Sequence, residues 1–235
     1  MSYRAKPKRK TLCVVMPVYR GVSTTWLKNW FTMDQTPVMC PPLLSDGTMI
    51  TEAMDQLVKD ALALSSWDRL VVMEDDMLPP KDAFLRAASH APDQEIVGSL
   101  YFTRRPPHYC TVYEHADLTE CRTLHPNTVK YWADNPGIYQ CAATGFGFTS
   151  IARHVLENWD PSIAMFDSDR VHFGSHDIHF CYYARQQGFK VFADSGITCG
   201  HLTEIPITYG FHEAAVARGN MPVWISTKPI SGLRA

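Results

Sequence analysis

Residues 70–80 have the sequence Leu-Val-Val-Met-Glu-Asp-Asp-Met-Leu-Pro-Pro, and the rest of the chain can be placed around them. The apolar run Leu70–Met73 predicts a strand that is buried on both faces, as in a parallel sheet. Pro79 and Pro80 cannot continue the hydrogen-bond ladder, so the strand is expected to end just after the acids. The carboxylates of residues 74–76 are therefore expected at the carboxyl end of a buried strand. In open α/β sheets, ligands bind at that edge.

The three adjacent carboxylates of Glu74, Asp75 and Asp76 repel one another. A divalent cation held by oxygen ligands relieves such repulsion, so the triplet suggests a metal site. The alternative is a solvated acidic turn. Short motifs of this kind often occur by chance, and the triplet alone does not decide between the two interpretations.

The composition is typical of a globular protein. The 235 residues fit one domain, and 46% of them are hydrophobic, which is enough to bury a core. The formal net charge of -2 gives no electrostatic reason to expect general nucleic-acid binding. The seven cysteines include no C-x-x-C pair. This favours reduced thiols in a cytoplasmic setting over a disulfide framework or a zinc site.

The N-terminus carries a basic run, residues 4–10, with the sequence Arg-Ala-Lys-Pro-Lys-Arg-Lys. We interpret residues 1–10 as a flexible solubilising leader, and a tail that binds an anionic partner is the alternative. No apolar run approaches the ~20 residues that span a membrane. No signal peptide precedes the first predicted strand. We therefore expect no membrane span and a cytoplasmic location, which would be the host cytoplasm for a viral protein.

Hydrophobic patterns predict alternating strands and helices. Residues 11–21 begin with a second buried-strand pattern, which is expected to pass into a loop at Pro17. From Thr48 onward, apolar residues recur at helical spacing, predicting a helix that leads to the strand at Leu70. A strand, a helix and a strand in this order imply a parallel crossover. The expected fold class is therefore α/β, with a mostly parallel central sheet flanked by helices.

The remaining segments complete one expected domain over residues 11–202. Helices are predicted over residues 23–31, 81–91, from 149 through Ile151 to Trp159, and from Ser175 to a cap at Gly188. Strands are predicted over 94–101, 109–113, 128–132 and 190–193, and a long loop over 160–173, while residues 197–202 are expected to be the last piece of the core. Residues 203–235 are expected to form a C-terminal extension that packs on or caps the domain, with a helical turn or two over 211–218.

Five fragments occur in a fixed order along the chain. They are V-V-M-P-V-Y-R, E-D-D at a strand end, T-G-F-G-F, S-H-D opening a helix with G-F-K-V behind it, and C-G-H-L. This order resembles the GT-A nucleotide-sugar glycosyltransferases, close to the family-2-like group, whose small members are also found in bacteriophages. The resemblance covers residues 11–202 and rests on the joint order, because no single motif is specific. It implies a GT-A-like, Rossmann-like fold and transfer of a sugar from a nucleotide diphosphate to an acceptor hydroxyl.

The resemblance implies a metal site that includes Asp76 and His201. Residues 74–76 correspond to a D-x-D motif, whose second acid binds Mn²⁺ or Mg²⁺ and whose first acid lies near the donor ribose. Glu74 in the first position departs from the family pattern, which leaves the ribose contact open. His201 corresponds to a late histidine that completes the metal site in many members, and an imidazole ligand suits Mn²⁺ better than Ca²⁺. Without that context, His201 would be interpreted as a hydrogen-bonded core histidine.

The resemblance also assigns the contacts to the nucleotide and the sugar. The residues expected at the nucleotide are Pro17, Val18, Tyr19, Arg20, Glu74 and Asp75. Those expected to form the wall beside the donor sugar and the acceptor are Thr144, Gly145, Phe146, Gly147 and His176. Uridine is the expected base by analogy alone.

An inverting transfer needs a base that deprotonates the acceptor hydroxyl, and Asp177 matches the acid of the family's E-D-like motif. The family often has Glu where this chain has His176. Alternatively, Asp177 caps a helix, and the helix dipole would then lower its pKa and weaken it as a base. Inversion is expected over retention only because Asp177 is available.

Three other functions fit the residues less well than a transferase does. A sugar nucleotidyltransferase should carry a glycine-rich loop with a basic residue after its first strand, and residues 17–21 supply only Pro-Val-Tyr-Arg-Gly. A catalytically degenerate GT-A-like binding module could have lost its acids freely, whereas Glu74, Asp76, Asp177 and His201 are all present. Nucleic-acid binding rests on the basic N-terminus alone. The donor sugar, the oligomeric state and the acceptor (protein, glycan, lipid or modified nucleobase) stay open.

Overall fold

The structure is a computed structural model that describes residues 10–18, 21–46, 49–169, 175–203 and 209–217. Within these ranges the strands are β1 (Leu12–Val18), β2 (Leu43–Asp46), β3 (Arg69–Met73), β4 (Met77–Leu78), β5 (Ile96–Leu100), β6 (Val112–Ala116), β7 (Cys121–Thr123), β8 (Ile138–Gln140), β9 (Ala143–Thr144), β10 (Phe148–Ala152), β11 (Val191–Thr198) and β12 (Gly200–His201). The helices are α1 (Thr24–Thr32), α2 (Ile50–Ala63), α3 (Ala83–Ser89), α4 (Pro126–Asp134), α5 (Arg153–Glu157), α6 (His176–Gln186) and α7 (Tyr209–Ala217).

The central sheet has seven strands in the order β2-β1-β3-β10-β5-β11-β8. Strands β2, β1 and β3 run parallel, as do β5 and β11. β10 is antiparallel to both β3 and β5, and β8 is antiparallel to β11. Because β10 runs in the opposite direction, the turn that precedes it lies at the edge where β1, β3 and β5 end. This reversal brings distant segments to one edge of the sheet.

Both faces of the sheet are covered, as the apolar runs predict. Val15 and Val72 pack on one side with Leu57 of α2, in a cluster that also holds residues of α5 and α6. Val71 packs on the other side with Trp30 of α1, in a cluster that also contains residues of α3. All five residues of β3 are buried. The predicted mostly parallel α/β sheet flanked by helices is confirmed.

The strand predicted over residues 128–132 is wrong, because this segment lies in helix α4. Its β-branched and aromatic residues favour a strand locally. However, the ring of His125 accepts a hydrogen bond from the amide of Asn127 at the helix start, and Pro126 occupies the first turn. Val129 and Trp132, three positions apart, both face the core. Helical burial of these two side chains outweighs the local preference.

Several predicted boundaries shift in the structure. Pro17 lies within β1, which continues to Val18 and is not yet a loop at this position. Beyond Val15, β1 pairs only with β2, so the missing proline amide does not break a pairing with β3. Ile151 belongs to β10, and the helix after it begins only at Arg153. The predicted loop over 160–173 is described only to residue 169 and contains no helix or strand up to that point.

Helix α7 of the C-terminal extension contacts the domain at the start of the loop that follows β5. The ring of His212 stacks on Phe102 with centroids 4.3 Å apart, and its Nδ1 lies 3.1 Å from the carbonyl oxygen of His108. Among the described helices, none combines the length and the apolar character that crossing a membrane requires.

Candidate functional site

The acidic triplet lies where β3 ends, against the turn that precedes β10. The amide of Glu74 donates a 2.9 Å hydrogen bond to the carbonyl of Gly147. Strand β4 follows the triplet and pairs antiparallel with β12, which places His201 opposite Met77. The amide of Leu202 donates to the carbonyl of Asp76 at 2.7 Å. Backbone pairing thus fixes His201 beside the acids, although the two segments are far apart in sequence.

The side chains of Asp76 and His201 meet directly. His201 Nε2 lies 3.4 Å from Asp76 Oδ2, and both side chains are largely buried. On the other side of the ring, Nδ1 is 2.7 Å from the carbonyl oxygen of Phe102. A carbonyl only accepts hydrogen bonds, so Nδ1 carries a proton there. With this tautomer Nε2 faces the carboxylate oxygen, so the nitrogen and the oxygen lie side by side as two ligands of one cation would.

This donor set suits a transition-metal cation better than calcium. A carboxylate oxygen and an imidazole nitrogen are ligands that Mn²⁺ accepts, and an imidazole held through its other nitrogen by a carbonyl is a common metal ligand. Within the described part of the chain, no group of three or more His, Cys, Asp or Glu side chains is arranged to hold a metal ion. Asp76 and His201 are two adjacent side chains whose donor atoms are of the kind that bind such a cation.

The carboxyl group of Glu74 is partly buried next to several other acids. Burial, followed by the charges of Asp76, Asp177 and Asp75, raises its pKa to about 8, while Arg104 acts in the opposite direction. Three carboxylates thus raise the pKa of Glu74, and one guanidinium lowers it. A site with this excess of negative charge favours a bound cation.

Asp177 lies in the first turn of α6 and faces the same cluster of acids. Its Oδ1 accepts hydrogen bonds from the hydroxyl of Ser175 and, at 2.8 Å, from the amide of Ile178. The amide of Phe146 also donates to this carboxylate. Burial nevertheless raises the pKa of Asp177, against the effects of His176 and of these amides. The alternative interpretation from the sequence, a helix cap whose pKa the dipole lowers, expects the opposite direction, and the net shift in the structure is upward because desolvation dominates.

The turn over residues 144–147 contacts the acids through its backbone. The side chains of Thr144 and Phe146 are fully buried, and the two glycines of the turn are buried as well. A Cβ atom added to Gly145 would lie 2.1 Å from the hydroxyl oxygen of Tyr101, and one added to Gly147 would lie 2.8 Å from Met77 Sδ. Only glycine permits this close approach.

His176, predicted for the wall of the site, lies beside this turn. Its ring packs edge-on against Phe146 with centroids 6.0 Å apart, and it also contacts Phe166. Burial lowers its pKa, although the charge of Asp177 acts to raise it. A neutral imidazole is therefore favoured at this position.

Of the residues predicted at the nucleotide, Pro17 and Val18 lie at the carboxyl end of β1, next to the end of β3. Asp75 is buried within the triplet. Tyr19 and Arg20 lie outside the described residues, so their predicted contacts stay predictions.

Sequence reasoning missed two residues that face the site. Arg104 Nη1 lies 3.0 Å from Asp76 Oδ2. The hydroxyl of the buried Tyr101 accepts a 3.1 Å hydrogen bond from the amide of Gly147. Both residues follow β5, a strand that ends at the same edge as β3. That position is the one signal in the sequence, because a segment that follows a predicted strand can lie at the ligand-binding edge.

Comparison with solved structures places this arrangement in a known fold. The structure is similar to the crystal structure of A197 from STIV, with a TM-score of 0.61 and 14% sequence identity over 84% of this chain and 93% of that chain. It is also similar to the crystal structure of GalNAc-T7 with UDP, GalNAc and Mn²⁺, with a TM-score of 0.52 and 10% identity over 90% of this chain. The match covers 48% of the GalNAc-T7 chain, so the present chain spans about half of that protein.

The protein thus has a GT-A-like α/β fold, as the order of its sequence fragments predicts. No protein-family model matches the sequence, and no curated protein matches it either. At these low identities the structural similarity defines the fold, and the function has to be argued from the site.

Proposed function

We propose that this protein is a metal-dependent glycosyltransferase that moves a sugar from a nucleoside diphosphate to an acceptor hydroxyl with inversion. The observation that carries the proposal is the pair formed by Asp76 Oδ2 and His201 Nε2, 3.4 Å apart at the ligand-binding edge of a GT-A-like sheet. A second carboxylate, Asp177, lies close enough to Glu74 for its charge to raise the pKa of Glu74.

Asp76 and His201 would hold Mn²⁺ or Mg²⁺. When bound, such a cation neutralises the charge that develops on the departing diphosphate. The carbonyl of Phe102 keeps Nε2 of His201 turned toward Asp76 by holding the opposite nitrogen. The structure of GalNAc-T7 contains UDP, GalNAc and Mn²⁺, which supports a divalent cation and a nucleotide donor for this protein.

Asp177 is the proposed base for the acceptor hydroxyl. Its carboxylate is held by the amides of Ile178 and Phe146, which fixes its orientation. The raised pKa, caused by burial, brings the group closer to the pH at which it would accept a proton efficiently. Attack from the side opposite the diphosphate would invert the sugar carbon.

The nucleotide is proposed to lie between β1 and the triplet. Pro17 and Val18 would line it from the end of β1, together with Tyr19 and Arg20, and the acids at 74 and 75 would lie near the ribose. The backbone of the Gly145–Gly147 turn would form the wall beside the donor sugar and the acceptor. We take uridine as the base, and the acceptor stays open among protein, glycan, lipid and modified nucleobase.

The test is a thermal-shift screen of UDP, GDP and their sugar conjugates, with and without Mn²⁺. A ligand that binds only the folded state stabilises it by about 2.7 kcal/mol at a hundredfold excess over its Kd. We expect stabilisation by one nucleoside diphosphate that requires Mn²⁺ and is lost in Asp76→Asn. Asp60→Asn, on the exposed surface of α2, is the matched control and should respond like the wild type. A folded wild type that responds to none of these ligands would favour the degenerate binding module.

A further inference from the structure

Arg104 is held at the site by a short, well-bonded loop. Phe102 and Cys110 form an isolated antiparallel bridge across its base. The amide of Thr103 donates to the carbonyl of Tyr109 at 2.8 Å, and the Thr103 hydroxyl accepts from the Tyr109 amide at 3.0 Å. Helix α7 packs on this loop through its contact with His108. The backbone thus presents Arg104 to the acids from a fixed position.

Arg104 and His201 meet the same carboxylate oxygen. Arg104 Nη1 is 3.0 Å from Asp76 Oδ2, and His201 Nε2 is 3.4 Å from that atom. A divalent cation on Oδ2 would stand next to the guanidinium and repel it. The Arg104 side chain is 32% exposed, so it has room to turn away from Asp76. The ion pair and a metal ion therefore compete for one oxygen.

The charge at the site gives the displaced guanidinium a second partner. Glu74, Asp75, Asp76 and Asp177 already place four carboxyl groups near one another. A nucleoside diphosphate adds further negative charge, which one divalent cation does not fully offset. Arg presents a planar fork of donors that matches phosphate oxygens.

We propose that Arg104 is a donor-binding residue that releases Asp76 to the metal and then binds the diphosphate of the donor. The proposal rests on the proposed function and adds a diphosphate ligand to it. It predicts opposite effects of one substitution on two affinities: removing the guanidinium strengthens metal binding and weakens nucleotide binding.

The experiment uses the full chain and two binding measurements that need no turnover. Free Mn²⁺ is counted by electron paramagnetic resonance in the absence of nucleotide, and UDP and GDP binding is measured by calorimetry at saturating Mn²⁺. The variants are Arg104→Gln and Arg104→Lys, with Arg105→Gln as the matched control on the same loop. Melting curves check that each variant folds.

Arg104→Gln should bind Mn²⁺ more tightly than the wild type and bind the nucleotide about tenfold more weakly, because a charge-assisted hydrogen bond is lost. Arg104→Lys should recover part of the nucleotide affinity through its charge. Arg105→Gln should behave like the wild type. A merely structural role would weaken both affinities together, and that result overturns the proposal, as does unchanged nucleotide binding in Arg104→Gln. If the wild type binds neither Mn²⁺ nor a nucleotide, the proposed function fails as well.

Discussion

The hydroxyl of Tyr101 should be required to hold the glycine turn against the acids, and Tyr101→Phe tests this. Tyr101 is 5% exposed, and its hydroxyl accepts the amide hydrogen of Gly147 at 3.1 Å. The carbonyl of Gly147 in turn accepts from the amide of Glu74. The phenylalanine ring would fill the same space, so the substitution removes one acceptor and leaves the Gly147 amide without this partner.

An unsatisfied buried donor costs about 1–3 kcal/mol, part of which is offset because a buried hydroxyl is also removed. We therefore expect Tyr101→Phe to lose about 1–2 kcal/mol of unfolding free energy. For a chain of this length, 1 kcal/mol corresponds to roughly 2–4 °C in Tm, so the melting temperature should fall by roughly 2–8 °C. Binding of the nucleotide-sugar donor should also weaken, because the turn contacts the acidic triplet through its backbone.

The assay is chemical denaturation with a thermal melt on the same samples. Tyr131→Phe is the matched control, since Tyr131 is 58% exposed on α4 and should change the free energy of unfolding by less than about 0.5 kcal/mol. If Tyr101→Phe is as stable as this control, the Tyr101 hydroxyl does not hold the turn and the reasoning is refuted.

Two further predictions concern Asp177 and His90. Asp177→Asn should retain Mn²⁺-dependent nucleotide binding but lower the transfer rate by about 10²–10⁴-fold, because a general base is lost. A normal rate in a transfer assay would show that Asp177 is not the base. His90 is buried with its Nε2 3.1 Å from Asp194 Oδ2. Burial, together with the charges of Arg69 and Lys10, lowers the pKa of His90, although Asp194 acts to raise it. Below about pH 6.5, His90 takes up a proton more readily in the unfolded chain than in the folded protein. The free energy of unfolding should therefore fall as the pH drops below that value. For one group the loss is at most about 1.4 kcal/mol per pH unit. In denaturation curves from pH 7.5 to 5.5, His90→Asn should show a shallower loss than the wild type, and an equal slope would contradict this assignment.

Some elements of this fold follow from the local sequence, and others depend on packing between distant segments. The end of β3 is decided locally, because an apolar run followed by acids and prolines leaves few alternatives. The crossover from β1 through α2 to β3 also follows from periodicity and chain direction. Residues 128–132 show the limit of local preference, since their helix depends on burying Val129 and Trp132 against other elements.

The α/β sheet, its acidic edge and the resemblance to GT-A enzymes can be predicted from the sequence alone. Which side chains meet at that edge depends on the folded chain. The pairing of β4 with β12 brings His201 to Asp76, and the end of β5 brings Arg104 to the same oxygen. The reversed direction of β10 places the glycine turn at this edge. These contacts depend on strand order and register, which arise from burial summed over the whole sheet and are not encoded in any short segment.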